Sequence, residues 1–104
     1  MRIDSSAPTR IDLAGGTYDI WPLYLFHDHA QTINVAISLR AHVTLTSRRD
    51  YRALLISEDT GEEVDAADPA ALATTELPLL ARLIKHFGAR GVEVRTNAES
   101  PVGA

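Results

Sequence analysis

Apolar and polar residues alternate with a period of two over several stretches of the chain, the pattern of half-buried strands. The clearest runs from Thr32 to Leu39, where Ile33, Val35, Ile37 and Leu39 alternate with Asn34, Ala36 and Ser38. Ala41 to Thr46 reads as a second strand, with Val43 and Leu45 set against His42, Thr44 and Thr46. Arg48-Arg49-Asp50 then reads as a solvated hairpin turn, and Tyr51 to Ser57 as a third strand of the same antiparallel run. Asp59-Thr60-Gly61 is a turn after which Glu62 to Val64 pairs back. Near the start, Arg2 to Ala7 predicts a short strand interrupted by Pro8, so that the segment lies at a sheet edge or bends before a second strand from Arg10 to Ala14.

The period then changes. Ala66 to Thr75 predicts a short helix with Asp68 as its N-cap and Pro69 in its first turn. Glu76 to Phe87 predicts the main helix, with Leu77, Leu80, Leu83, Ile84 and Phe87 at three- and four-residue steps. Gly88 suits its C-cap, and Lys85 and His86 complement the negative end of its dipole. Gly91 to Thr96 predicts a returning strand. Strands, a helix and a last strand define an α+β domain: two layers, a mostly antiparallel sheet and a covering helix.

At 104 residues, the chain is long enough for one small domain with a modest core. With 45% hydrophobic and 23% charged residues it is an ordinary globular composition, which argues against disorder. A net charge of −4 without a basic run argues against a nucleic-acid surface. The absence of cysteine removes disulfides and thiolate metal sites. No apolar run approaches membrane-spanning length and the N-terminus lacks a signal-like apolar region, so the expected location is cytoplasmic.

The candidate chemistry gathers in Ala7 to Asp19, A-P-T-R-I-D-L-A-G-G-T-Y-D. Ile11 and Leu13 share one face of a strand, and Arg10 and Asp12 the other. Gly15-Gly16 permits a sharp turn or the close approach of a ligand. Asp19 lies nine residues after Arg10, so the turn can bring a carboxylate and a guanidinium to one mouth. Such a pair suits a polyhydroxylated ligand, whose hydroxyls donate to the acid while the cation offsets its charge. An ordinary strand-to-loop connection fits the same letters. Beyond it, Trp21 and Tyr24 either wall a pocket or anchor the loop to the core. His27-Asp28-His29 has the spacing of a metal pair on a strand but no third ligand, and no metal site is assigned to it.

The Ala7 to Asp19 stretch resembles the first motif of the GHMP small-molecule kinases. It is most similar to the branch acting on heptose phosphates and fucose, which shows A-P-x-R-[aliphatic]-x-[apolar]-A-G-G-x-x-D. Pro8, Arg10, Ile11, Ala14, Gly15, Gly16 and Asp19 match. Galactokinases carry a related form with the same arginine-to-aspartate spacing. Thr17-Tyr18 stands where the heptose-kinase form has Gly-Thr, which leaves the sugar open. Glu99-Ser100-Pro101-Val102-Gly103-Ala104 is similar to the start of the family's phosphate loop, P-x-[GS]-x-G-L-G-S-S.

The resemblance implies transfer of the ATP γ-phosphoryl, with Mg²⁺, to a hydroxyl of a sugar or sugar phosphate. It implies substrate binding by Gly15, Gly16, Thr17, Tyr18 and Asp19, a catalytic Arg10 near the reaction centre, and nucleotide contacts from Pro101 and Gly103. The implied fold is the ribosomal protein S5 domain 2-like N-terminal domain. Residues 1–104 are then an incomplete domain that stops where the phosphate loop begins, expected to be inactive alone, with the metal-binding acid beyond Ala104. A non-catalytic small-ligand-binding module and an interaction domain remain alternatives.

Overall fold

The computed structural model describes residues 1–72 and 76–101. The chain runs through β1 (Arg2–Ala14), 3-10 turns at Gly16–Asp19 and Leu23–Leu25, β2 (Ile33–Ser47), β3 (Ala53–Ser57) and β4 (Glu62–Ala66). A third 3-10 turn (Pro69–Ala71), α1 (Pro78–Phe87) and β5 (Val92–Ala98) complete it. One sheet forms in the order β1-β2-β5-β3-β4, with β3 parallel to β5 and the other neighbours antiparallel. With α1 packed on it, this is the expected α+β architecture, built on a mixed sheet.

Three expectations about the strands are corrected. Pro8 does not divide the first segment: β1 is continuous from Arg2 to Ala14. It is an edge strand, where a residue without an N–H is tolerated, and the register shifts between Pro8 and Arg10. The two strands read at 32–39 and 41–46 are one, because Arg40 extends the alternation rather than ending it. β3 does not pair with β2, since β5 lies between them, so Arg48-Arg49-Asp50 is not a hairpin turn. The segment instead passes the start of β5, where the Arg48 N–H donates to the Gly91 carbonyl at 2.7 Å. Gly91 has φ +61°, and a Cβ there would lie 2.7 Å from the Asp50 carbonyl oxygen, so this crossing requires glycine.

The core is Ala53, Leu55, Leu72, Leu77, Ala81, Ile84 and Val94, where α1 meets β3 and β5. The helix begins at Pro78 rather than Glu76, with Leu77 as N-cap and Gly88 as a left-handed C-cap. Its buried line is Leu77, Ala81 and Ile84, while Phe87 is 75% exposed. Leu80, Leu83 and Phe87 lie about 100–160° around the helix from Ala81, on a flank of the contact. Asp68 caps the short turn as expected, accepting from the Ala70 N–H at 3.1 Å. Of the expected 66–75 helix the described residues form only Pro69–Ala71, as a 3-10 turn: Ala66 ends β4, Asp68 is extended, Leu72 is the C-cap, and residues 73–75 lie outside the described residues.

The first part of β2, residues 33–40, has β1 as its one strand partner among the described residues, because β5 pairs with Ala41–Ser47. This two-stranded arm makes the molecule 51 Å long with a radius of gyration of 16.9 Å, against about 13 Å for a compact chain of this size. Ile11, Leu13, Ile33 and Val35 on the arm are exposed.

Leu55 has no exposed surface, so Leu55→Ala should destabilise the fold by about 2–5 kcal/mol. Leu79 is 70% exposed, and Leu79→Ala should change stability by less than about 0.5 kcal/mol. Urea denaturation of the two variants measures the contrast.

Candidate functional site

The junction of β1 with the following 3-10 turn is built around Gly15. Its φ is +80°, and a Cβ would run into the Gln31 carbonyl, so the chain can turn this tightly against the entry to β2 only without a side chain. The turn is closed by the Tyr18 N–H donating to the Gly15 carbonyl at 2.9 Å. Gly16 serves a different end: a Cβ there would come within 3.2 Å of Asp12 Oδ2, so its absence leaves room for that carboxylate.

These constraints bring three charges together. Arg10 Nη2 donates to Asp19 Oδ2 at 3.3 Å, and Arg10 Nε lies 3.7 Å from Asp12 Oδ1. The side chains are 55%, 41% and 39% exposed for Arg10, Asp19 and Asp12, so the group opens to solvent. One cation between two anions leaves a net negative, acceptor-rich surface, suited to hydroxyl donors and organised by a fixed guanidinium. Asp12 was not among the residues selected from the sequence. The signal was present, because positions 10 and 12 of a strand share a face.

Thr17 and Tyr18 lie inside the 3-10 turn that carries Asp19. The Tyr18 ring meets the His27 ring edge-on, with centroids 5.0 Å apart. That contact ties the turn to the loop before β2. His27 and His29 lie in a turn rather than on a strand, and His29 has φ +59°. Among the described residues no group of three His, Asp or Glu side chains could hold a metal ion. Trp21 is 71% exposed and Tyr24 45%, so neither is buried in the core.

The chain leaving β5 reaches the same place. Thr9, Arg10, Ile11, Asp12, Ile37, Leu39, Ser100 and Pro101 line one cleft of about 590 Å³. The irregular step in the β1–β2 ladder opens it: from Pro8↔Arg40 to Arg10↔Ala36, β1 advances two residues and β2 four. Pro101 therefore stands with Arg10, while Gly103 lies outside the described residues.

A second polar cluster fixes that approach. The Glu99 carboxylate accepts from the Arg40 backbone N–H at 2.7 Å and from His42 Nε2 at 3.0 Å. The Glu99 N–H donates back to the Arg40 carbonyl at 3.0 Å. The His42 hydrogen bond, then the Arg40 one, hold the Glu99 carboxyl below its ordinary pKa. Fifty-seven residues separate His42 from Glu99, so no local sequence pattern signals the pair.

No protein-family model matches the sequence, and no curated protein matches it. Solved structures do match the fold. A D-glycero-D-manno-heptose 1-phosphate kinase from Bacteroides thetaiotaomicron aligns over 100% of this chain and 36% of its own, with a TM-score of 0.79 and 23% identity. A protein assigned as a sugar kinase from Campylobacter jejuni aligns over 98% of this chain and 33% of its own, with a TM-score of 0.71 and 25% identity. Lactococcus lactis galactokinase, solved with galactose, aligns over 97% and 27%, with a TM-score of 0.61 and 17% identity. All three are GHMP-family kinases, and the likeness to them is one of fold. The chain spans about a third of their length or less. No helix among the described residues is long and apolar enough to cross a membrane.

Two outcomes follow from the geometry. Gly15→Ala should destabilise the fold by at least about 1–2 kcal/mol, the cost of a left-handed residue with a Cβ, measured by denaturant unfolding. The Glu99 shift sets a sign for pH. A carboxyl whose folded pKa is depressed stabilises the fold above the usual glutamate range, and that contribution is lost as pH falls through the folded value. Glu99→Gln should therefore lower stability at neutral pH, and the gap from wild type should close in acid. Melting curves of both proteins across the acid range check this.

Proposed function

We propose that these residues form the sugar-binding side of a GHMP-family kinase, which transfers the γ-phosphoryl of ATP to a hydroxyl of a sugar or sugar phosphate. The observation that carries the reading is the shared cleft: Arg10 and Asp12 of the first motif line it with Ser100 and Pro101 of the second, ninety residues away in sequence. The fold likeness to three sugar kinases supports it. On this reading the domain has the ribosomal protein S5 domain 2-like fold and the protein is cytoplasmic.

Phosphoryl transfer depends mainly on positioning and charge stabilisation. Asp19 accepts hydrogen bonds from sugar hydroxyls and orients the ring. Gly15 and Gly16 let the substrate approach the backbone. The Arg10 charge, aimed by Asp12 and Asp19, stabilises negative charge developing on the acceptor oxygen. Among the described residues no group of three or more His, Asp or Glu side chains could hold a metal ion; no step is assigned to Mg²⁺, and on this reading the nucleotide is approached by Pro101 and by Gly103, which lies outside the described residues. The 104 residues on their own are expected to transfer no phosphoryl group.

Sugar-dependent ATP consumption tests the reading, assayed with heptose phosphates, galactose and fucose as acceptors on a polypeptide in which this sequence stands as the N-terminal third of a GHMP kinase. Asp19→Ala should lower kcat/KM for the accepted sugar roughly tenfold to a hundredfold, the worth of one hydrogen bond to a charged group. Unchanged kinetics in a folded variant would remove Asp19 from the site. Consumption with none of the sugars would overturn the reading.

A further inference from the structure

We propose that Glu99 is a positioning residue for the nucleotide: clamped by Arg40 and His42, it fixes where the chain leaves β5 and so sets the wall of the cleft opposite Arg10. The inference rests on the kinase reading and adds to it a residue that the reading leaves without a role.

The ordered ladder between β2 and β5 ends at Ala41↔Ala98. One residue further, the chain must depart from the sheet to reach the cleft, and a departing strand end frays unless something holds it. Glu99 holds it three ways, through its own N–H on the Arg40 carbonyl and its two carboxylate oxygens on the Arg40 N–H and the His42 ring. A carboxylate has no proton to give, so the His42 Nε2 carries the donated hydrogen. Arg40 is itself fixed to β1, its Nε donating to Ser6 Oγ at 3.0 Å and its Nη2 to the Ser6 carbonyl at 3.3 Å. The clamp thus ties β1, β2 and β5 together at the last residue before Ser100 and Pro101, which line the cleft beside Arg10 and Asp12. Contacts on Ser100 and Pro101 move with Glu99, whereas the Arg10–Asp19 pair is held separately by the Gly15 turn. Loss of the clamp should therefore separate the two substrates kinetically.

Two measurements test this. In the 104-residue chain, Glu99→Ala should speed amide hydrogen exchange at Arg40 and Glu99 while leaving Leu55 unchanged; unaltered exchange at both would overturn the clamp. In the same kinase-length polypeptide used for the sugar assay, Glu99→Ala should raise KM for ATP about tenfold, with KM for the sugar held within about twofold. Glu99→Gln keeps an acceptor for the Arg40 N–H and should recover most of the loss. A rise in both KM values together, or none for ATP, would overturn the inference while leaving the kinase reading intact. Absence of sugar-dependent transfer by the wild type would overturn the reading and this inference with it.

Discussion

The fold depends on β2 being a single fifteen-residue strand with different neighbours along its length. Over Ala41–Ser47 it is paired on both sides, by β1 and β5, and this is the part nearest the core. Over Ile33–Arg40 its one strand partner among the described residues is β1. The candidate site lies where the pairing changes. There β5 has just ended and its outgoing chain can turn across the ladder, and there the β1–β2 register slips. The residues beside that slip, Thr9–Asp12 with Ile37 and Leu39, line the cleft together with Ser100 and Pro101. The site is thus a consequence of sheet topology rather than of any one side chain.

Most of the elements were legible in the sequence because each is written in a local period. The strand alternation of Ile33 to Leu39, the Asp68 cap and the Gly88 stop are readable from neighbouring residues, and each is present. What was not legible is partnership. Nothing in Tyr51 to Ser57 says whether its neighbour is the preceding strand or β5, because both choices bury Ala53, Leu55 and Ser57 on the same face. The helix shows a related limit: five apolar residues at helical spacing suggest one stripe, yet burial follows the Ala81–Ile84 line and leaves Phe87 in solvent. Amphipathic spacing fixes which residues can face a sheet, not how far the contact wraps around the helix.

The site divides in the same way. The approach of Arg10 to Asp19 is set by a nine-residue turn and is local enough to be read from Gly15 and Gly16. Asp12 was within reach of the same reasoning, since strand parity already put it beside Arg10. The Glu99–His42 pair and the meeting of Pro101 with Arg10 depend on the β2–β5 pairing, which only the assembled sheet supplies.

The charges at the site are arranged but not yet strong. Two unit charges 4 Å apart interact by about 1 kcal/mol in water and about 4 kcal/mol at an effective dielectric of 20. Arg10, Asp12 and Asp19 are each more than a third exposed, so in this chain they stand near the weaker limit. An exposed triad of this kind adds little to stability, and its geometry is instead fixed by the backbone: by the left-handed turn at Gly15 and the space left at Gly16. That division suits a binding site. The backbone holds the carboxylates in place before a ligand arrives, and a ligand that covers the site lowers the local dielectric and strengthens the same contacts.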